Sequence, residues 1–466
     1  ISIYSELTAR AAYLMARYRH RQDAVAALER ITEEYCKPGN TIRGSVGKGA
    51  VIRDCGRIED VCVGAGAKIA GALSLTNGTL VSTAESPVHI GPGVVMEDFI
   101  CRPGAHVTNN AVVKRSFIGE ACHIEDGFTS VDSLFFANSH MGGGEACSVF
   151  AGPYCVSHHK SSLLIAGYFL FFNAGSGANQ SNHLFKTGAV HQGVHERGCK
   201  FGSNAYVMLP AREGAFTVVT GRHTSHHDTA DLPYSYLIEN EGRSYLLPGM
   251  NLRSYGTLRD LQKWPQRDVR KGVVADRVNF DEFNPYIGMK LKKGLDICRG
   301  MNDPQKDVYT HGRARISSVM AARGAQLYDA ALKATIGGIL SGGAGEGVAD
   351  GHWVDMAGMY APKSRVDELL DALSDGTIAD VAGLEEALDA IASSYRADAY
   401  SWALSMLDGG DIAGAIEDGK QAAAELEKMR QADARKDAGD EMMTSYGIDS
   451  DDTLETAADF GSVRGL

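Results

Sequence analysis

From Thr41 onward, aliphatic residues recur every six positions. Val46, Ile52 and Ile58 are six apart, as are Val63, Ile69, Leu75 and Val81. After a break the series resumes with Val95, Cys101, Val107 and Val113, then Ile118 and Ile124. A period of six fits neither the ~3.6 of a helix nor the ~2 of an alternating strand. It fits short strands joined by tight turns, three hexads to a coil, with aliphatic columns stacked inside a parallel β-solenoid. Gly after the first member of a set supplies the turns, as in Val46-Gly47, Val63-Gly64, Ile90-Gly91 and Ile118-Gly119. Gly is 54 of the 466 residues and Pro only 12, which excludes collagen and Pro-rich disorder.

The rest of the chain has other periods. Within residues 1–40 a helix is expected, because Leu7, Ala11, Leu14, Met15, Tyr18, Ala24, Ala27 and Ile31 fall at threes and fours before Pro38-Gly39-Asn40. Residues 41–268 form the solenoid with irregular insertions, and 269–305 read as a charged linker packing back on it. Helical spacing returns in 306–466 with Ile316, Met320, Leu327, Ala331 and Leu332, then in segments 364–374, 382–407 and 411–436. Residues 341–466 carry nine Lys and Arg against 27 Asp and Glu, whereas the remainder carries 37 against 31. A mildly basic body with an acidic tail lacks the basic stripe of a nucleic-acid binder and suits small anionic ligands. The most apolar stretch, Leu163 to Phe172, is half of what a membrane-spanning helix needs. Nine cysteines without a CxxC spacing read as reduced core thiols, and a cytoplasmic location is expected. The chain starts at Ile1 without a basic-apolar leader, as expected of a processed chain or a fragment.

Five strings carry a family resemblance: FAGPYCVSHHKSSLLIAG (150–167), NAGSGANQSNH (173–183), HQGVHERG (191–198), GRHTSHHDTADLPYSYLIE (221–239) and YLLPGMNLRSYGTLRDLQKWPQRD (245–268). With the hexads, they resemble a bacterial family carried as a domain of unknown function within the hexapeptide-repeat proteins. Its members are often labelled glucosamine-1-phosphate acetyltransferase-like or uridyltransferase-like. The resemblance implies a left-handed parallel β-helix, which with the helix of 1–40 and the helical spacing of 306–466 gives a mainly β fold with an N-terminal helix and a C-terminal α-helical domain. It also implies a homotrimer, and a chain that continues upstream with more of the same sequence. No GxGTRM-like nucleotide loop, P-loop, Rossmann glycine motif, HExxH or GxSxG is present.

Nine of the fifteen histidines lie between His140 and His227. Imidazole titrates near neutrality, so such a concentration suits proton abstraction from a sugar hydroxyl or amine. His183 is the first candidate base, with His158 and His191 second. Asn173, Gly175, Ser176, Gly177, Asn179, Gln180, Asn182, Lys186, Arg222 and His223 are candidate substrate-binding residues. Gly175 and Gly177 permit turns with exposed N–H groups, and Lys186 adds a charge. The same Gly and Asn residues could equally do no more than build solenoid turns.

Three readings follow. The first is an acyltransferase using acetyl-CoA on a sugar phosphate or nucleotide-sugar, with a His base at a subunit boundary. The second is a metal enzyme resembling the γ-class carbonic anhydrases, drawing on His183, His191, His195 and the 223–227 group. The third is a non-catalytic scaffold or sugar-nucleotide-binding protein. Phe169, Phe171, Phe172, Tyr206, Phe216, Tyr234 and Tyr236 exceed what a narrow solenoid interior holds, so they are expected at a subunit contact or under the helical domain.

Overall fold

The computed structural model describes residues 1–37, 44–181, 192–343, 345–407, 409–447 and 453–465. Between Ser45 and the hairpin at Tyr236–Asn240 and Arg243–Leu247 the chain winds as a parallel β-solenoid of about 11 turns. One side stacks Ile52, Ile69, Ile90, Val107, Ile124 and Met141 in register, each over the last. These residues face the interior, and from Ile69 onward all are buried.

From Ile52 to Met141, four of the five coils take 17 residues rather than three full hexads, the step from Ile69 to Ile90 taking 21. The third side of each coil is therefore one residue short, which moves two members of the hexad series. Leu80, not Val81, stacks on Val63, and Met96, not Val95, stacks on Leu75. The shortening falls at a corner where Asp60, Asn77, Asp98, Arg115 and Asp132 occupy the left-handed region. Asp and Asn tolerate that conformation better than other side chains with a Cβ. Adjacent corners are tied by Asn77 donating to Asp98 at 2.6 Å and by the Arg115–Asp132 ion pair.

The N-terminal segment forms two helices rather than one, α1 (Ala9–Arg17) and α2 (Gln22–Cys36). Thr8 caps α1 by accepting from the Ala11 N–H. After the solenoid come α3 (Tyr255–Gln266), α4 (Pro285–Arg299), α5 (Ser318–Ser341), α6 (Lys363–Ser374), α7 (Val381–Ser405), α8 (Ile412–Ala434) and α9 (Thr453–Arg464). The segment expected as a linker thus contains α4. Its first part is a strap: Asp276 accepts from the N–H groups of Ala9 and Ala137, and Glu120 accepts from Ala275. Strand Ala314–Ser317 adds to the sheet edge through Tyr245 and Arg315, so the region after residue 300 closes that end of the solenoid.

Phe169, Phe171, Phe172, Phe216 and Tyr234 are buried within the chain itself. Phe171 meets Trp264 of α3, and Phe216 stacks on Tyr234 at 4.5 Å. Arg197 is clamped between the Phe171 and Tyr360 rings and bonds Asp355 at 2.7 Å, joining the solenoid to the hairpin Trp353–Met356 and Met359–Pro362. Phe171 is thus covered by the chain's own later segments. All nine cysteines are free; five are buried and four partly so. Among the described residues, no helix is long and apolar enough to cross a membrane.

Candidate functional site

On the side whose inward residues are Ile90, Val107, Ile124 and Met141, the preceding residue in each strand faces outward. That residue is His89, His106, His123 and His140 in four successive coils. The imidazoles stack, with ring centroids 4.4, 4.7 and 5.1 Å apart, and His158 continues the column 4.2 Å from His140. Partial burial, reinforced by neighbouring imidazoles, holds His123 and His158 below the usual histidine value and brings His106 down to about 4. Glu125, two residues after His123 and so on the same face, bonds His140 Nε2 at 2.5 Å.

The upper end of the column opens into a groove of about 550 Å³. His123, His140, His158 and Asn173 form one wall and α3 the other, with Tyr154, Phe171 and Trp264 at the base. Helix α3 buries Leu261 and Trp264 against the solenoid. Its flank then presents Arg259, Lys263 and Arg267, spaced four apart, along the groove. The carboxylate among these lining residues, Asp260, is engaged by Lys200. The groove therefore combines imidazoles with a cationic rim. A second cleft of about 580 Å³ lies between the solenoid, α1, α4 and the 353–362 hairpin. Its cations are largely neutralised in place: Lys290 by Glu196, Lys293 by Asp231, Lys292 by Asp296 and Arg212 by Asp228.

A profile of a domain of unknown function (DUF4954) matches residues 1–302. The chain belongs to that family. The DUF4954 match takes in the solenoid, the groove and α4, while a second domain of unknown function (DUF6819) matches residues 336–466. An uncharacterized protein of Treponema pallidum (strain Nichols) is 27% identical over 294 residues, 61% of this chain. The matched stretch is 40% of that relative's length.

Within this DUF4954 fold, the residues singled out in the sequence separate into groups. His158 and Asn173 meet in the groove. His183, His191, Asn182 and Lys186 lie outside the described residues. Gly175, Ser176 and Gly177 form the corner after strand Asn173–Ala174. There the Gly175 N–H donates to Phe201 at 2.7 Å, and a Cβ at Gly175 would stand 2.7 Å from that carbonyl oxygen. The Asn179 N–H likewise donates to Ala205. These two amides serve the inter-coil ladder, as solenoid turns require. Gln180 points inward, accepting from the Ile165 N–H, with its Nε2 unpartnered. Arg222 lies over the Tyr206 ring, 4.5 Å from its centre.

His223 is buried, with Nε2 donating to the Thr220 carbonyl and Nδ1 accepting from Ser244, and desolvation brings it down to about 4. His195 and His227 are both engaged by the buried Glu213, at 2.5 and 2.6 Å. His195 is fully buried, stacked on Phe169, and does not line the groove. Sequence reasoning missed His89, His106 and His123, and the rim of Arg259, Lys263 and Arg267. The signals were there: His89, His106, His123 and His140 are each 17 residues apart, the coil length, and the cations of α3 are each four apart.

Proposed function

We propose that the groove binds an anionic sugar and that the protein transfers an acyl group to it, with acetyl-CoA as donor. The observation that carries this is the placement of His158 and Asn173 opposite the Arg259, Lys263 and Arg267 flank of α3. Three cations on one helical face suit the phosphate of a sugar phosphate or nucleotide-sugar. His158 takes the proton from the acceptor hydroxyl or amine as that atom attacks the thioester carbonyl. The tetrahedral intermediate collapses with cleavage of the C–S bond, and the CoA thiolate receives a proton. The family resemblance extends the reading to a left-handed hexapeptide-repeat winding, a threefold assembly and action in the cytoplasm.

The test is acetyl-CoA turnover over a panel of amino-sugar phosphates and nucleotide-sugars. Expected is activity with one of them that falls about 100-fold or more in His158→Ala. Absence of CoA binding at millimolar concentration overturns the acyl-transfer reading. A second reading, a non-catalytic sugar-nucleotide-binding protein, is favoured by one observation. The Gly175 and Asn179 amides are consumed by the coil ladder and offer no oxyanion donors there. Ligand binding in the groove that survives His158→Ala, with no turnover of any donor, would support that reading.

A further inference from the structure

The imidazole column is regular, but one level of it differs from the rest. The residue two positions after each column histidine, on the same outward face, is Gly91, Thr108, Glu125 and Gly142 in turn. Only after His123 is it a carboxylate. Ligand atoms of His123, Glu125 and His140 all lie within 4.8 Å of one another. Gly142 pairs with Glu125 in the next coil and has no side chain to fill the space above it. A Cβ at Gly142 would stand 3.9 Å from Glu125 Cγ and 3.8 Å from His158 Cα, so His158 and Glu125 face each other across a one-residue gap.

We propose that His123, Glu125 and His140 form a binding site for one divalent transition-metal ion, zinc by its ligand chemistry. Two imidazoles and one carboxylate, with no thiolate, suit zinc, cobalt or nickel and disfavour calcium and magnesium, which take all-oxygen sets. Tetrahedral donors at zinc stand about 3.3 Å apart. The present donors lie between 2.5 Å and 4.8 Å of one another, a range that brackets that spacing. The three ligands leave a fourth position open toward the gap above Gly142 and the groove, where an anionic or hydroxyl group of a bound small molecule can coordinate. This site is distinct from the histidine-rich 183–227 stretch that first suggested metal. It is independent of acyl transfer, because three side chains of one chain complete it whatever the groove turns over.

The ligands lie on the outside of coils whose packing rests on the inward Ile124 and Met141, so their replacement leaves the fold intact. The test uses the full chain, tag-free and stripped with a chelator, titrated with Co²⁺ by visible absorption and with Zn²⁺ by calorimetry. Expected is one ion per chain, a Co²⁺ d–d band that Zn²⁺ abolishes, and affinity lowered at least about tenfold in His123→Ala, His140→Ala and Glu125→Gln. His89→Ala, on the same column without a carboxylate neighbour, retains wild-type affinity. As a second measure, Zn²⁺ raises the melting temperature of the wild type more than that of Glu125→Gln. No saturable Co²⁺ or Zn²⁺ binding overturns the proposal. So does binding that His140→Ala leaves unchanged, or that His89→Ala weakens equally. Acetyl-CoA turnover is measured on the same samples: metal binding without turnover leaves this proposal standing, and turnover without metal binding leaves the acyl-transfer reading standing.

Discussion

Removing the Asp355 carboxylate strands a guanidinium in the middle of the protein. Arg197 is almost fully buried and bonds both Asp355 oxygens, at 2.7 and 3.2 Å, and the Asn279 carbonyl at 2.8 Å. The Phe171 and Tyr360 rings lie against the guanidinium, and Arg197 also lines the cleft of about 580 Å³. Asp355→Ala leaves that charge without a counter-ion and should cost about 3–5 kcal/mol. Arg197→Met strands Asp355 in the same way, at a similar cost, so independent effects would sum to about 6–10 kcal/mol. The double variant Arg197→Met with Asp355→Leu removes both charges. It leaves only the Asn279 carbonyl and the Gly358 N–H, which Asp355 also accepts, to be compensated. At about 1–3 kcal/mol for each orphaned group, its cost is about 2–6 kcal/mol, clearly below the sum. Trp264, Trp353 and Trp402, the three tryptophans of the chain, are all buried outside the solenoid strands. Urea unfolding followed by tryptophan fluorescence therefore reads this junction directly. An additive double variant, or a single Asp355→Ala costing under about 1 kcal/mol, would refute the reasoning.

Other outcomes follow from the same geometry. His223 titrates near 4 in the folded chain against 6.5 unfolded, so the unfolded chain binds the extra proton. Its contribution, about 3 kcal/mol, is present above pH 6.5 and is lost as pH falls toward 4. Urea midpoints at pH 7.5 and 5 should differ, and less so in His223→Asn; an equal drop in that variant removes His223 as the cause. Gly175→Ala should destabilise the coil, since the new methyl meets the Phe201 carbonyl oxygen at 2.7 Å. An unchanged melting temperature would argue against a structural corner. Reversing the α3 flank with Lys263→Glu and Arg267→Glu should weaken binding of sugar phosphates about tenfold or more without moving the melting temperature, checked by calorimetry.

Much of the architecture was legible because a solenoid writes its period into the sequence. The series Val46, Ile52, Ile58 and Val63, Ile69, Leu75 marks the three sides of two coils in register. The assignments slipped by one at Val81 and Val95, because a corner that accepts Asp or Asn in a left-handed conformation shortens the coil to 17. Helices α5 to α8 followed their apolar spacing, except that Ile316, read as the first residue of that pattern, lies in the strand Ala314–Ser317 before α5. Less of the site could be read. Proximity in sequence drew attention to His183 and His191, whereas the imidazoles that stack are separated by whole coils. A carboxylate two residues from one of them becomes a partner of the next coil's histidine only once the winding is known. The rim of α3 lies within a string that carries the family resemblance, but its spacing of four has meaning only beside a groove.

The two ends of the solenoid are unequal. At one, the 236–247 hairpin and the strand Ala314–Ser317 complete the sheet. At the other, among the described residues, the first coil pairs on one edge alone, and Val46, Val51 and Ile52 stand 65, 50 and 40% exposed. A coil touches only its neighbours, so stability is conveyed along the axis from one layer to the next. Amide exchange should then follow a gradient, fastest at Ser45–Arg53 and slowest where the later helices clasp Phe171 and Phe216. Thermal loss of structure would proceed as peeling, layer by layer from the open end, with the imidazole column coming apart before the aromatic clasp beneath α3.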